Sequence, residues 1–360
     1  MKIQDRVQRT IWFVSKREMR TIDQRCLPFR YEEFSLDCSE KVIFAIKEMV
    51  LRGAPLIGVA GAAGVYFALL ELKENNNIEQ FENTIQLIKN SRPTAINLVW
   101  AVDRVLRKIE NYSDDYKLEA AFNEVNIIAD EDVEMCRKIG LNGLELIKEV
   151  YRKKKDTVNI LTHCNAGWLA TVDWGTATSP IYHAQKEGIP VHVWVDETRP
   201  RNQGGKLTAY ELMEQGVSSS LITDNAGGIL MQKGLVDMVI VGSDRTSING
   251  DVANKIGTYL KALAAKDNDI PFYVALPVST FDRAIIDGVK EIPIEERSET
   301  EVTTIDGVDE QGNIVNIKIA PDKVKVYNPG FDVTPSRLIT ALITDKGVIK
   351  PIKDEIERVL

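Results

Sequence analysis

The sequence predicts an α/β protein. Its C-terminal part reads as a Rossmann-like, doubly wound parallel sheet, and its N-terminal part as a smaller, mainly helical domain with a few short antiparallel strands. Three observations carry this. From Thr157 onward the short apolar runs VNILT, VHVWV, SSLIT, VDMVIVG, PFYVAL and VKVYN alternate with helical stretches, the rhythm of βαβ units. The runs are nearly continuous in apolar residues, as expected for strands covered by helices on both faces. The first third instead spaces its apolar residues as helices do, in VIFAIKEMV and AINLVWAVDRVLRKI. A length of 360 residues favours about two domains, placed at 1–130 and 131–360 with the boundary near Asp130.

Taken in order, Thr10 to Val14 and Glu32 to Leu36 read as short strands. Helical patterns follow at Glu40 to Arg52, Pro55 to Lys73, Ile78 to Ser91 and Thr94 to Glu110. Pro55 and Pro93 each suit a first helical turn, where the missing N–H has no partner to lose. The polar stretch Asn111 to Tyr116 reads as a turn, and Lys117 to Lys153 as a helix leading into the second domain. No charge interrupts Ala54 to Leu70. That length is near the lower limit for crossing a bilayer, but its Gly and Ala content favours a closely packed core helix. Further on, helices are expected at Ser179 to Glu187, Leu207 to Gln215, Ala226 to Lys233 and Lys255 to Lys266.

Composition narrows the function. A net charge of −8 makes non-specific binding to nucleic acid electrostatically unfavourable. The four cysteines (Cys26, Cys38, Cys136, Cys164) are widely spaced, and no CxxC or HExxH occurs beside the three histidines. Neither a structural zinc site nor a disulfide framework is expected, and the thiols suit a cytosolic setting. The N-terminal MKIQDRVQRT lacks the apolar core of a secretion signal. The expectation is a cytoplasmic protein without a membrane span.

In open parallel sheets, ligands bind beyond the carboxyl ends of the strands. Those positions hold Cys164-Asn165-Ala166-Gly167, Asp196 to Arg199, Asp224-Asn225, Asp244-Arg245, and Pro277 with Ser279-Thr280. Helix capping accounts for many of the Asp and Asn residues, but not for Cys164. Cys164 is either a buried small hydrophobe or a reactive thiol whose pKa is lowered by the positive end of the next helix. Its neighbour His163 should point to the opposite face of the strand and so belong to the core or the surface. Asp244 is a candidate general acid or base with a raised pKa, unless Arg245 simply neutralises it. Asn254 and Lys255 read as a helix start able to hold an anion. Arg52 in RGAP and Arg92 in SRP each precede a helix, and arginine is shaped for bidentate phosphate binding. No dinucleotide, P-loop or GxSxG motif is present. A thiol, a carboxylate and several cationic groups without metal ligands suit proton transfer on a phosphorylated small molecule.

Several stretches, in order along the chain, resemble the methylthioribose-1-phosphate isomerase family, which is related to translation initiation factor 2B subunits. They are RGAPLIG, SRPTAINLVWAV, THCNAGWLAT, ETRPRNQGGKLTAYEL, LITDNAGG, GSDRTSINGDVANKIGTY, PIEERSETEV and NPGFDVTPSRLITALITDKGVI. The resemblance implies a homodimer and an aldose–ketose isomerase acting on a sugar 1-phosphate without metal or other cofactor. It puts the catalytic pair on Cys164 and Asp244, and substrate binding on Arg52, Gly53, Ala54, Arg92, Gln203, Asn254 and Lys255. The expected substrate is S-methyl-5-thioribose 1-phosphate, the reaction being a step of methionine salvage. 5-Deoxyribose 1-phosphate and ribose 1,5-bisphosphate are the alternatives within the class, and a non-catalytic regulatory subunit the alternative outside it. Arg201, Asn202, Thr246 and the residues after Thr176 depart from the common family pattern, which leaves the C5 substituent open.

Overall fold

A computed structural model describes residues 1–4, 6–92 and 96–360. After a short antiparallel pair, Lys2–Ile3 with Arg6–Val7, comes a three-stranded antiparallel sheet, Ile11–Ser15, Glu18–Ile22 and Glu33–Leu36, in which Thr21 stands opposite both Ile11 and Phe34. The middle strand, EMRTI, escapes the sequence reading because two of its five residues are charged. Helix α1 (Ser39–Lys47) stops short of Arg52: Met49 takes a φ of 55°, left-handed backbone that a helix cannot contain.

Helix α2 (Ala54–Asn75) starts with Pro55 in its first turn and closes on Asn76 in the left-handed conformation. It is long and apolar enough to cross a membrane by composition, yet 78% of its most apolar window is buried inside the protein. Its neighbours are α1, α3 (Ile78–Lys89), α4 (Ile96–Glu110) and α5 (Asp114–Lys154). Close packing on several sides explains its Gly- and Ala-rich sequence. The helix starts expected at Pro93 and Thr94 lie outside the described residues.

Helix α5 is continuous over 41 residues. Its first half contributes Ala121, Val125 and Ile128 to the N-terminal core, and its second half contributes Ile139, Leu144 and Ile147 to the core of the sheet. The change from one core to the other falls between Val133 and Ile139.

Seven strands form the main sheet, in the spatial order Gly347–Ile349, Ala341–Thr344, Phe272–Ala275, Met238–Val241, Val158–Thr162, Val191–Asp196, Ser219–Ile222. All neighbours are parallel except Gly347–Ile349, which runs antiparallel at one edge. Numbered along the chain, the parallel strands lie 3-2-1-4-5-6, the doubly wound order whose direction reverses between the first and fourth strands. Alternate residues feed different cores: Ile160, Met238 and Ile240 belong to one, Leu161, Val239 and Val241 to another. Both faces are therefore covered. Helices α6 (Ser179–Lys186), α7 (Ala209–Glu214), α8 (Ala226–Gln232) and α9 (Thr258–Asp267) fill the crossovers.

Two expectations are corrected. VKVYN forms no strand; the sixth parallel strand is Ala341–Thr344, four residues that follow a 3-10 turn. Asn254 and Lys255 do not start a helix. They end the strand Val252–Lys255 of a small second sheet, where Lys255 pairs with Phe331, and α9 begins only at Thr258.

Candidate active site

The reversal point of the sheet places two candidate groups side by side. The strand Val158–Thr162 runs out into His163 and Cys164, and its neighbour Met238–Val241 runs out into Gly242, Ser243 and Asp244. Cys164 and Asp244 line the same cleft. The cleft also takes in all the other residues anticipated for binding: Arg52, Gly53, Ala54, Arg92, Gln203, Asn254 and Lys255. Pro277, expected at a strand end, lines it too, and among residues not anticipated there are Met49, Ile57, Ser243 and Phe331.

The N-terminal helices reach this cleft through a tight contact at Gly53. Gly53 has a φ of 98°, and a Cβ there would overlap the main chain and side chain of Ala170. Only glycine lets α2 begin against the 3-10 turn Trp168–Ala170. Arg52, just before it, donates from Nη1 to the Asn165 side-chain oxygen at 2.5 Å and from Nη2 to the Asn165 carbonyl at 2.7 Å. Arg92 is largely covered, and its Nε and Nη1 are buried without a hydrogen-bond partner among the described residues, while Glu295 stands 4.0 Å away. Burial pulls the Arg92 pKa down, partly offset by Glu295. Unsatisfied buried donors of this kind suit an anionic ligand. Lys255 is buried with its Nζ 4.4 Å from the centre of the Phe331 ring. Burial lowers its pKa, and the facing Cys164 and Asp244 pull it back up.

Cys164 has left-handed backbone, with φ of 65°. Two hydroxyls hold it: its N–H donates to Thr198 Oγ1 at 2.8 Å, and its carbonyl accepts from Thr208 Oγ1 at 2.6 Å. The expectation of a lowered thiol pKa is corrected. The next helix is α6, which starts only at Ser179, and the intervening loop has a 3-10 turn and no α-helix. Burial therefore dominates and pushes the Cys164 thiol up, with Arg52 and Lys255 opposing. Asp244 is likewise raised by burial, against the pull of Lys255, Arg52 and Arg92. Arg245 turns toward Asp282, with Nη1 3.4 Å from its carboxylate. Burial thus pushes both acidic groups of the cleft up, while Arg52 and Lys255 pull both of them back.

His163 points away, as strand alternation predicts. It is wholly buried, its Nδ1 2.8 Å from Asp196 Oδ2 and its Nε2 2.8 Å from the Ile256 carbonyl. His163, Asp196 and Asp224 approach closely enough to suggest a metal cluster, but the Lys261 ammonium lies 3.3 Å from Asp196 and bonds the Asp224 carbonyl. A cation from the chain itself already serves this group. Thr176, which precedes one of the departures from the family pattern, lines the cleft, and Thr246, itself a departure, is buried with its hydroxyl 2.8 Å from that of Ser243. Arg201 pairs with Glu301 at 3.1 Å and also lines an adjoining pocket that shares Met49, Arg52 and Gln203 with the cleft.

A model of the initiation factor 2 subunit family matches residues 50–351. The methylthioribose-1-phosphate isomerase of Methylocella silvestris is 52% identical over 353 residues, covering 97% of this chain and 96% of that one. That of Sulfurimonas denitrificans is 54% identical over 340 residues, 94% of each. The chain belongs to the methylthioribose-1-phosphate isomerase family. Among solved structures, the 5-methylthioribose 1-phosphate isomerase of Pyrococcus horikoshii matches with a TM-score of 0.85 and 41% identity, covering 98% of this chain and 96% of that one. The translation initiation factor eIF-2B delta subunit from A. fulgidus matches at 0.79 and 40%, covering 98% and 99%. Within the methylthioribose-1-phosphate isomerase family this chain is an enzyme, an intramolecular oxidoreductase of the aldose–ketose isomerase class.

Proposed function

We propose that the chain converts S-methyl-5-thioribose 1-phosphate to S-methyl-5-thioribulose 1-phosphate, as a step of methionine salvage. The observation that carries this is the meeting of Cys164 and Asp244 in one cleft with Arg52, Arg92 and Lys255. The names of the relatives support the choice of sugar. A non-catalytic regulatory subunit would need neither the thiol nor the carboxyl.

The chemistry explains why both acids are needed. The anomeric oxygen of an aldose 1-phosphate carries the phosphoryl group, so the ring cannot open by simple mutarotation. It opens when a proton reaches the ring oxygen. Cys164, held neutral by burial, is a proton donor of the right kind. Asp244, as a carboxylate close to three cations, then takes the C2 proton and delivers it to C1, and the O2 proton passes to the Cys164 thiolate, which leaves the ketose and restores the thiol. A direct hydride shift from C2 to C1 fits the same residues, with Asp244 then removing the O2 proton. Arg52, Arg92 and Lys255 hold the phosphoryl group and the sugar hydroxyls. The reading calls for no metal or other cofactor. The family resemblance adds a cytoplasmic homodimer to the proposal.

Apolar side chains share the lining: Met49, Ile57, Pro277 and Phe331. They favour a methylthio or methyl tail over the second phosphoryl group of ribose 1,5-bisphosphate. The test is to offer purified protein all three sugar phosphates. The methylthio sugar should win over 5-deoxyribose 1-phosphate by about tenfold in kcat/KM, the scale of a small apolar group in a pocket. Turnover confined to either rival sugar would replace the assignment, and no turnover of any of them would return the regulatory reading.

A further inference from the structure

We propose that Glu211, a residue outside the cleft, is a positioning residue for Arg52, acting through the side chain of Asn165. The proposal rests on the reading of the cleft as a sugar-phosphate site, and on an unusual burial. Glu211 on α7 is fully buried, where an ionised carboxyl is costly unless its oxygens are bonded and its charge is matched. Both oxygens are used: Oε1 accepts from Asn165 Nδ2 at 2.6 Å, and Oε2 accepts from the Leu169 main-chain N–H at 3.2 Å. The loop closes down on this carboxyl at Gly167, where any Cβ would overlap it.

The consequence lies in the direction of the Asn165 amide. With Nδ2 committed to Glu211 and to Thr208 Oγ1 at 3.1 Å, its Oδ1 faces the other way. There it receives Arg52 Nη1, while the Asn165 carbonyl receives Nη2. An Asn165 turned over would present N–H groups to the guanidinium and expel it. Glu211 therefore fixes the fork geometry of an arginine that it does not touch. Burial pushes the Glu211 pKa up to about 8, and the Leu169 N–H, the Asn165 amide and the Arg52 charge oppose it. The result is a line of groups, Glu211, Asn165 and Arg52, that ends in the cleft beside Cys164.

The test uses a substitution of nearly equal shape, Glu211→Gln. The amide has one acceptor where the ionised carboxyl has two, so it opposes either the Leu169 N–H or the Asn165 amide, and parent and variant are compared at pH 9, above the Glu211 pKa of about 8. In E211Q, KM for S-methyl-5-thioribose 1-phosphate and the Kd for inorganic phosphate, read by titration calorimetry, should each rise about tenfold, one misdirected charged hydrogen bond, with kcat nearly unchanged. The double variant N165D/E211Q re-matches donors and acceptors once the Thr208 hydroxyl turns from the Cys164 carbonyl to the new carboxylate. The new amide donates to the new carboxylate at position 165 and accepts from Leu169, and the other oxygen of that carboxylate again receives Arg52. Both constants should return to within about threefold of the parent. A merely structural Glu211 would lower thermal stability and leave KM and phosphate affinity alone. Unchanged constants in folded E211Q, or a double variant no closer to the parent, would overturn the proposal. If E211Q does not fold, the double variant decides: near-parental phosphate affinity supports the relay, a tenfold loss rejects it. A parent that turns over no sugar phosphate sinks the substrate reading instead, and phosphate affinity still reports on Glu211.

Discussion

Arg52 and Asn165 are joined by two hydrogen bonds, at 2.5 Å and 2.7 Å, and through them the N-terminal helices grip the loop that carries Cys164. A lysine has one point of charge and no fork. R52K should keep the charge but lose one of the two bonds, and so loosen the cleft. KM for the sugar phosphate is expected to rise about tenfold, the scale of one charge-assisted hydrogen bond. Steady-state kinetics with a melting curve as control would show this, and a KM equal to the parent's would argue that Arg52 is only structural.

Asp244 and Cys164 carry the proton chemistry. D244N and C164S should each retain the fold and lose about 10²- to 10⁴-fold in kcat, the range of general acid–base catalysis. Circular dichroism and turnover measured on the same samples would separate the two effects. Activity within a few-fold of the parent in either variant removes that residue from the mechanism.

The strand ends were legible in the sequence because near-continuous apolar runs such as MVIV, buried throughout, announce where a parallel strand stops. Cys164 and Asp244 could be placed there from spacing alone. What local sequence does not hold is pairing at a distance. NGDVANK looks like a turn entering a helix, but partners more than 70 residues away, Phe331–Thr334, draw Val252–Lys255 into a sheet, as strand preference follows its context. The state of the Cys164 thiol failed for a related reason. Its sign depends on where the next helix starts, and the irregular loop from Cys164 delays α6 to Ser179. Glu211 gave no signal at all: an acid in a helical stretch reads as solvent-facing until the Asn165 loop covers it.

A neutral Cys164 has a chemical signature. Thiolates alkylate and thiols do not, and burial holds this thiol above its ordinary value, opposed by Arg52 and Lys255. Peptide mapping after iodoacetamide at pH 7 should show Cys164 reacting more slowly than free cysteine, and faster as pH rises past 9. K255M removes one of the opposing cations and should slow it further. Faster labelling than free cysteine at pH 7 would mean that the cations outweigh burial.

Asp132 makes a stability prediction far from the proton chemistry. It is buried on α5, its Oδ2 accepting from the Val172 N–H at 2.7 Å, and burial raises its pKa from 3.8 to about 7. The unfolded chain returns it to the ordinary range. Between these values the folded state binds the proton that the unfolded state has released, so its contribution to stability falls as pH rises. The loss starts above about 4 and is complete only beyond the folded value near 7, growing toward a ceiling of about 4 kcal/mol for a displacement of this size. Asparagine mimics the neutral form and cannot ionise. D132N should therefore melt close to the parent at pH 5, melt higher than the parent at pH 8, and show a flatter dependence of Tm on pH in between. Parallel pH profiles for the two proteins would show that Asp132 is charged in the folded state throughout, its burial balanced by the Val172 N–H and by Arg9, the two influences that lower its pKa.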